Sequence, residues 1–161
     1  MLRKILIKIH RLPLIKSAIL LFCIDLIITS LVSAFVSVFD IDMGTSYEIK
    51  NSFWLDFMIV CVAAPILETS IFQWFIYNLF ENKFRKKLFL CCVLGGSIFG
   101  IVHLTSLMYV ITIGCVGVFY LLWYALLARK YNNFTAFCVV AIVHSARNAL
   151  ALFGSYFVDY W

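Results

Sequence analysis

Glu68, His103, His144 and Asn148 are the residues of this 161-residue chain whose types could do chemistry together. Each lies in apolar surroundings: Glu68 in PILETSIFQ (65–73), His103 in FGIVH (99–103), His144 and Asn148 in HSARN (144–148). On a helix, positions i and i+4 share a face, which pairs Phe99 with His103, His144 with Asn148, and Thr69 with Gln73 beside Glu68. A carboxylate, two imidazoles and an amide suit several chemistries. Amide hydrolysis needs a base to activate water and donors for the oxyanion. Two His and one Glu could hold zinc with water in the open position. His103 and His144 could be axial ligands of a b-type haem. Glu68, Asp25 and Arg147 could form an ion or proton relay. Against these stands packing: polar side chains as interhelical hydrogen-bonding glue, with Asp25 and Arg147 neutralising each other across two helices.

Which environment holds these groups follows from composition. The chain is 65% hydrophobic and 13% charged, with a mean hydropathy of +1.03. A soluble domain is nearer half apolar and a quarter charged, so a bilayer is the environment that tolerates this surface. A helical span needs about 20 apolar residues. Five stretches qualify: Leu14 to Phe39, Phe53 to Phe80, Leu88 to Val110, Ile111 to Ala128 and Phe134 to Val158, the third and fourth meeting in a turn near Thr105 to Tyr109. The expected fold is a single all-α membrane domain over 1–161, a bundle of about five transmembrane helices with the site between helices two, three and five. With no repeat and no linker, nothing divides it.

Basic residues orient the bundle. Arg3, Lys4, Lys8, Arg11 and Lys16 precede span one; Lys83, Arg85, Lys86 and Lys87 separate spans two and three; Arg129 and Lys130 separate spans four and five. The opposite connections hold Lys50 with Asp40, Asp42 and Glu48, and the C-terminus holds Asp159. The positive-inside rule makes the basic side, and the N-terminus, cytoplasmic. Residues 1–13 read as a basic amphipathic flank lying in the interface. Trp54, Trp74, Trp123, Tyr160 and Trp161 fall near span ends, where an aromatic belt would lie. The net charge of +5 is thus an orientation signal, and no basic face for nucleic acid is visible. All six cysteines lie within spans with no C-x-x-C, as small hydrophobes do.

A charge at the centre of a span costs roughly 2.5–3.5 kcal/mol on insertion scales, so Asp25, Glu68 and Arg147 need partners or a task. At about 1.5 Å per residue, Glu68 and His144 lie some 15 Å above the inner ends of their spans, with His103 and Asn148 about 6 Å farther out. Gly96 and Gly100 form a G-x-x-x-G that lets a neighbouring helix come close. The four groups can meet at one depth.

In order and placement these residues resemble the CPBP family, the CAAX-protease and bacteriocin-processing intramembrane proteases also called Abi. That family shows E-E-x-x-x-R on one helix, often with a proline three before the first Glu, then F-x-x-x-H, then H-x-x-x-N or H-x-x-x-D. Here the motifs are Pro65-Ile-Leu-Glu68-Thr69-Ser-Ile-Phe-Gln73, Phe99-Gly-Ile-Val-His103 and His144-Ser-Ala-Arg-Asn148. The second Glu is Thr69 and the Arg is Gln73, so both charges of a pair are replaced together by a hydroxyl and an amide that can still hydrogen-bond.

The resemblance implies an intramembrane endopeptidase of a bacterial plasma membrane. Its substrate would be a membrane-associated peptide or protein: a prenylated C-terminus, a bacteriocin leader or a peptide pheromone. Glu68 would be the base, His103 would hold or activate the water, and His144 and Asn148 would donate to the oxyanion. Thr69, Gln73, Phe99 and Arg147 would support them. The expectation is a metal-free site, with Glu68, His103 and His144 as the ligand set if zinc is bound. The alternatives are a non-catalytic immunity or scaffold protein on the same bundle and, further off, a small transporter.

Overall fold

The computed structural model describes residues 2–41, 52–84 and 88–159. Six helices make up its regular structure. We label them α1 (Leu2–Arg11), α2 (Leu14–Val38), α3 (residues 53–84), α4 (Leu88–Ile101), α5 (Leu107–Lys130) and α6 (Asn133–Asp159). Residues Lys50, Asp42, Glu48, Arg85, Lys86, Lys87, Tyr160 and Trp161, used above for orientation and belt, lie outside the described residues.

Among the described residues four helices are long and apolar enough to cross a bilayer: α2, α3, α5 and α6. The fifth apolar helix is shorter than its sequence stretch suggests. Leu88 to Val110 reads as one span, but α4 stops at Ile101 after 14 residues. That is about 21 Å of helix against a hydrocarbon core of about 30 Å. The local cause is polar. His103 N–H turns back to Gly100 O at 3.0 Å and Thr105 N–H to His103 O at 2.8 Å. Ser106, in extended conformation, then caps α5 by accepting from Tyr109 N–H at 3.1 Å. The turn thus falls at 102–106, slightly earlier than expected, and His103 sits in it.

α4 and α5 pack along their length, and glycine permits the approach. A Cβ on Gly96 would lie 2.5 Å from Val118 N and 2.7 Å from Gly114 O; one on Gly100 would meet Val110 O and come within 2.9 Å of the Gly114 backbone. Backbone atoms cannot yield as a side-chain tip does, so Gly100→Ala should force the helices apart. Overpacking of this kind typically costs about 1–3 kcal/mol. Thermal unfolding of the purified protein should show the loss, with a smaller effect for Gly154→Ala, where nothing lies within 4 Å.

The ends of the bundle are sorted. Lys130 Nζ donates to Leu12 O at 2.6 Å, and Asn133 Nδ2 to Asn78 Oδ1 at 3.1 Å. The α1–α2 and α5–α6 connections and the end of α3 therefore share one end of the molecule, the end the basic residues mark. Trp123 does not join a belt. It is 1% exposed, and its Nε1 donates to Ser17 Oγ at 2.9 Å, so it ties α5 to α2 inside the protein. Trp54, 73% exposed, is free to occupy an interface.

α3 is a continuous helix but not a uniform one. It is π-helical over Phe57–Ala63 and again over Thr69–Phe75, with α-helical segments Phe53–Asp56, Ala64–Glu68 and Ile76–Phe84. Such i→i+5 stretches are rare and often mark functional positions. Glu68 lies at the junction before the second of them.

Candidate active site

α3, the end of α4, α5 and α6 converge on a cavity of about 350 Å³, which α2 closes on one side with Asp25 and Thr29. Glu68, Phe99, His103, Tyr109, Tyr120, His144, Arg147 and Asn148 all line it. The four residues with which the sequence reading begins are brought to one cavity.

Glu68 faces both imidazoles, one oxygen to each. Its Oε1 lies 3.7 Å from His103 Nε2 and its Oε2 3.5 Å from His144 Nε2. The Glu68 and His103 side chains are 23% and 25% exposed, so both open into the cavity, while His144 at 9% is embedded. His103 Nδ1 lies 2.7 Å from Phe99 O. A carbonyl oxygen only accepts, so Nδ1 carries the proton and Nε2 is the nitrogen presented to Glu68. The F-x-x-x-H spacing is thus a side-chain bond to the helix's own last turn, and it aims the ring.

His144 is held between aromatic rings. Tyr120 lies 5.2 Å from it between centroids and Phe99 6.2 Å. Its Nδ1 is buried with no hydrogen-bond partner among the described residues. Behind it, Tyr120 Oη donates to Asp25 Oδ2 at 2.5 Å, and Arg147 Nε stands 4.0 Å from Asp25 Oδ1. The Asp25–Arg147 pairing between spans one and five is therefore present, but the hydroxyl of Tyr120 shares the carboxylate. Nothing in the spacing marks Tyr120. The available signal is that a mid-span tyrosine hydroxyl, like a mid-span aspartate, requires a partner. Tyr109 is likewise a wall residue that the motifs do not name, 6.5 Å from the His103 ring.

Asn148 is engaged. Its Nδ2 donates to Val60 O in α3 at 2.9 Å, leaving the second N–H of the amide. Thr69 and Gln73 differ from expectation. Both are buried, at 0% and 1% exposure, yet Thr69 Oγ1 and Gln73 Oε1 have no hydrogen-bond partner among the described residues, so the hydroxyl–amide bond is absent. The second π-helical stretch, which carries both, packs on α4, α5 and α6, and the two side chains are enclosed in that packing.

Zinc would require Glu68, His103 and His144 to converge on one point at about 2.0–2.2 Å. Among the described residues no three His, Cys, Asp or Glu side chains are grouped as ligands.

The family model of type II CAAX prenyl endopeptidase Rce1-like matches residues 50–150, a stretch that contains every cavity residue discussed here except Asp25 and Thr29. The chain belongs to this family. The Rce1-like region covers α3, α4, α5 and the part of α6 that carries His144 and Asn148; α1 and α2 lie outside it. No curated protein and no solved structure matches the chain. Rce1-like membership and the apolar helices make this an integral membrane protein of a protease family.

Proposed function

We propose that the chain is a CAAX-type intramembrane endopeptidase in which Glu68 activates the attacking water without a metal. The observation that carries this is one carboxylate facing two imidazoles at 3.5 and 3.7 Å inside a cavity between the apolar helices. These distances lie at or beyond the limit of a direct hydrogen bond, and the Glu68 carboxylate and His103, both open to the cavity, can take up water there. Water held by Glu68 and His103 Nε2 gives a proton to the Glu68 carboxylate as its oxygen attacks the scissile carbonyl. His144 and the free N–H of Asn148 donate to the oxyanion. The C–N bond breaks as the abstracted proton passes to the departing amine, leaving a new carboxylate and a free N-terminus. Preorganised donors and a positioned base are what amide hydrolysis demands, and a cavity walled by Phe99 and Tyr120 keeps their interactions strong.

The substrate that suits the family is a prenylated CAAX segment, whose lipid would enter the cavity from the bilayer; bacteriocin leaders and peptide pheromones are competing substrates of the same physical kind. Purified protein in lipid nanodiscs should cleave a prenylated CAAX peptide faster than its unprenylated counterpart. Strong chelators should leave that rate unchanged, and elemental analysis should find no stoichiometric zinc. Zinc at one per chain, with activity restored by its re-addition, would contradict the metal-free mechanism.

The basic end of the bundle is the cytoplasmic end in this reading, in a bacterial plasma membrane. Reporter fusions after Lys50 should read as external and fusions after Lys87 or Lys130 as cytoplasmic. A cytoplasmic reading after Lys50 would overturn the orientation.

A further inference from the structure

In the first π-helical stretch of α3, Ala64 N–H donates to Ile59 O, five residues back. The next bond of that ladder would run from residue 65 to Val60 O. Residue 65 is proline and has no N–H, so Val60 O is left without its backbone donor. A partly buried carbonyl in this position calls for a donor from elsewhere. The side chain that reaches it is Asn148 of α6, whose Nδ2 lies 2.9 Å away. Both Val60 and Asn148 line the cavity.

We propose that Pro65 is a positioning residue: by freeing Val60 O it creates the acceptor that fixes the Asn148 amide and aims that amide's second N–H into the cavity. A primary amide is planar, with two N–H bonds in fixed directions. Once one of them is held by a carbonyl of a rigid helix, the direction of the other is set. The same bond ties α6 to α3 at Val60, eight residues before Glu68, and Pro65 lies in the first turn of the Ala64–Glu68 segment that ends on the carboxylate. Pro65, Glu68 and Asn148 then act as one assembly spread over two helices. The geometric tie stands on its own; its effect on turnover rests on the reading of Asn148 as an oxyanion donor.

Replacing Pro65 by alanine restores an N–H at 65. Val60 O is then filled from the backbone in either register, by residue 65 in a π-helical turn or by residue 64 in an α-helical one. Wild type, Pro65→Ala, Asn148→Ala and the double variant should be compared in nanodiscs for thermal stability and for kcat and KM on a prenylated CAAX peptide. Asn148→Ala should lower Tm by about 2 °C when Pro65 is present, as loss of one interhelical hydrogen bond would, and by less than half as much when residue 65 is alanine. Pro65→Ala should lower kcat about tenfold with KM unchanged, less than the 10²–10³ that outright loss of an oxyanion donor costs. The double variant should be no slower than Asn148→Ala alone. Equal Tm losses in the two backgrounds, kcat losses that multiply, or wild-type kcat in Pro65→Ala would each overturn the proposal. Should wild type itself fail to cleave, the Tm comparison still decides the tie, and only the protease reading falls.

Discussion

Glu68→Gln should lower turnover by at least about 100-fold, the low end of what general-base catalysis supplies, while leaving the protein folded and in the membrane. The glutamine keeps the shape of the side chain and can still bond to His103 and His144, which stand 3.7 and 3.5 Å from the carboxylate oxygens. What it lacks is basicity. Removing a charge from a span also makes insertion easier, so abundance should not fall. Cleavage per molecule of inserted protein is the quantity to measure. Asp25 is the other carboxylate lining the cavity, but it is 2% exposed and already bound by Tyr120. Loss of Glu68 therefore leaves no substitute carboxylate at the same place.

The imidazoles should be nearly as sensitive. His144→Ala should cost about 10²–10³ in turnover, as removal of one oxyanion donor does. His103→Ala should lower turnover by a factor comparable to Glu68→Gln, because it removes the group that shares the water and that Phe99 O holds in place. Thr69→Ala and Gln73→Ala should leave turnover much less changed. Neither side chain lines the cavity, and the bond expected between them is absent. Rates for the four variants at matched abundance separate the residues that face Glu68 from those only packed nearby.

Much of this arrangement was legible in the sequence because lipid makes polarity expensive. Glu68, His103, His144 and Asn148 stood out against apolar runs, and counting rise per residue placed them at one depth. The same logic paired Asp25 with Arg147. It could not find Tyr120, since a tyrosine within a span raises no alarm until its hydroxyl is seen on Asp25 Oδ2. The short α4 was hidden for a similar reason: Leu88 to Val110 carries no full charge, and the hydrogen bonds that end the helix at Ile101 are made by His103, Thr105 and Ser106, residues that a span tolerates. Trp123 was misplaced because nearness to a span end does not distinguish an interfacial indole from one bonded to Ser17 across the bundle. The π-helical register of α3 has no periodic signature at all. Pro65 is its one visible trace, and the use of Val60 O by Asn148 becomes readable only once the register is known.

The central claim is that the Glu68–His103–His144 cluster hydrolyses a peptide bond in a membrane-borne substrate. The most direct test is mass spectrometry of a prenylated CAAX peptide after incubation with wild-type protein and with Glu68→Gln, each purified identically into nanodiscs. The account predicts a peptide cut after the prenylated cysteine by wild type and an intact peptide with the variant. An intact peptide with wild type, or equal cleavage by both preparations, would contradict it.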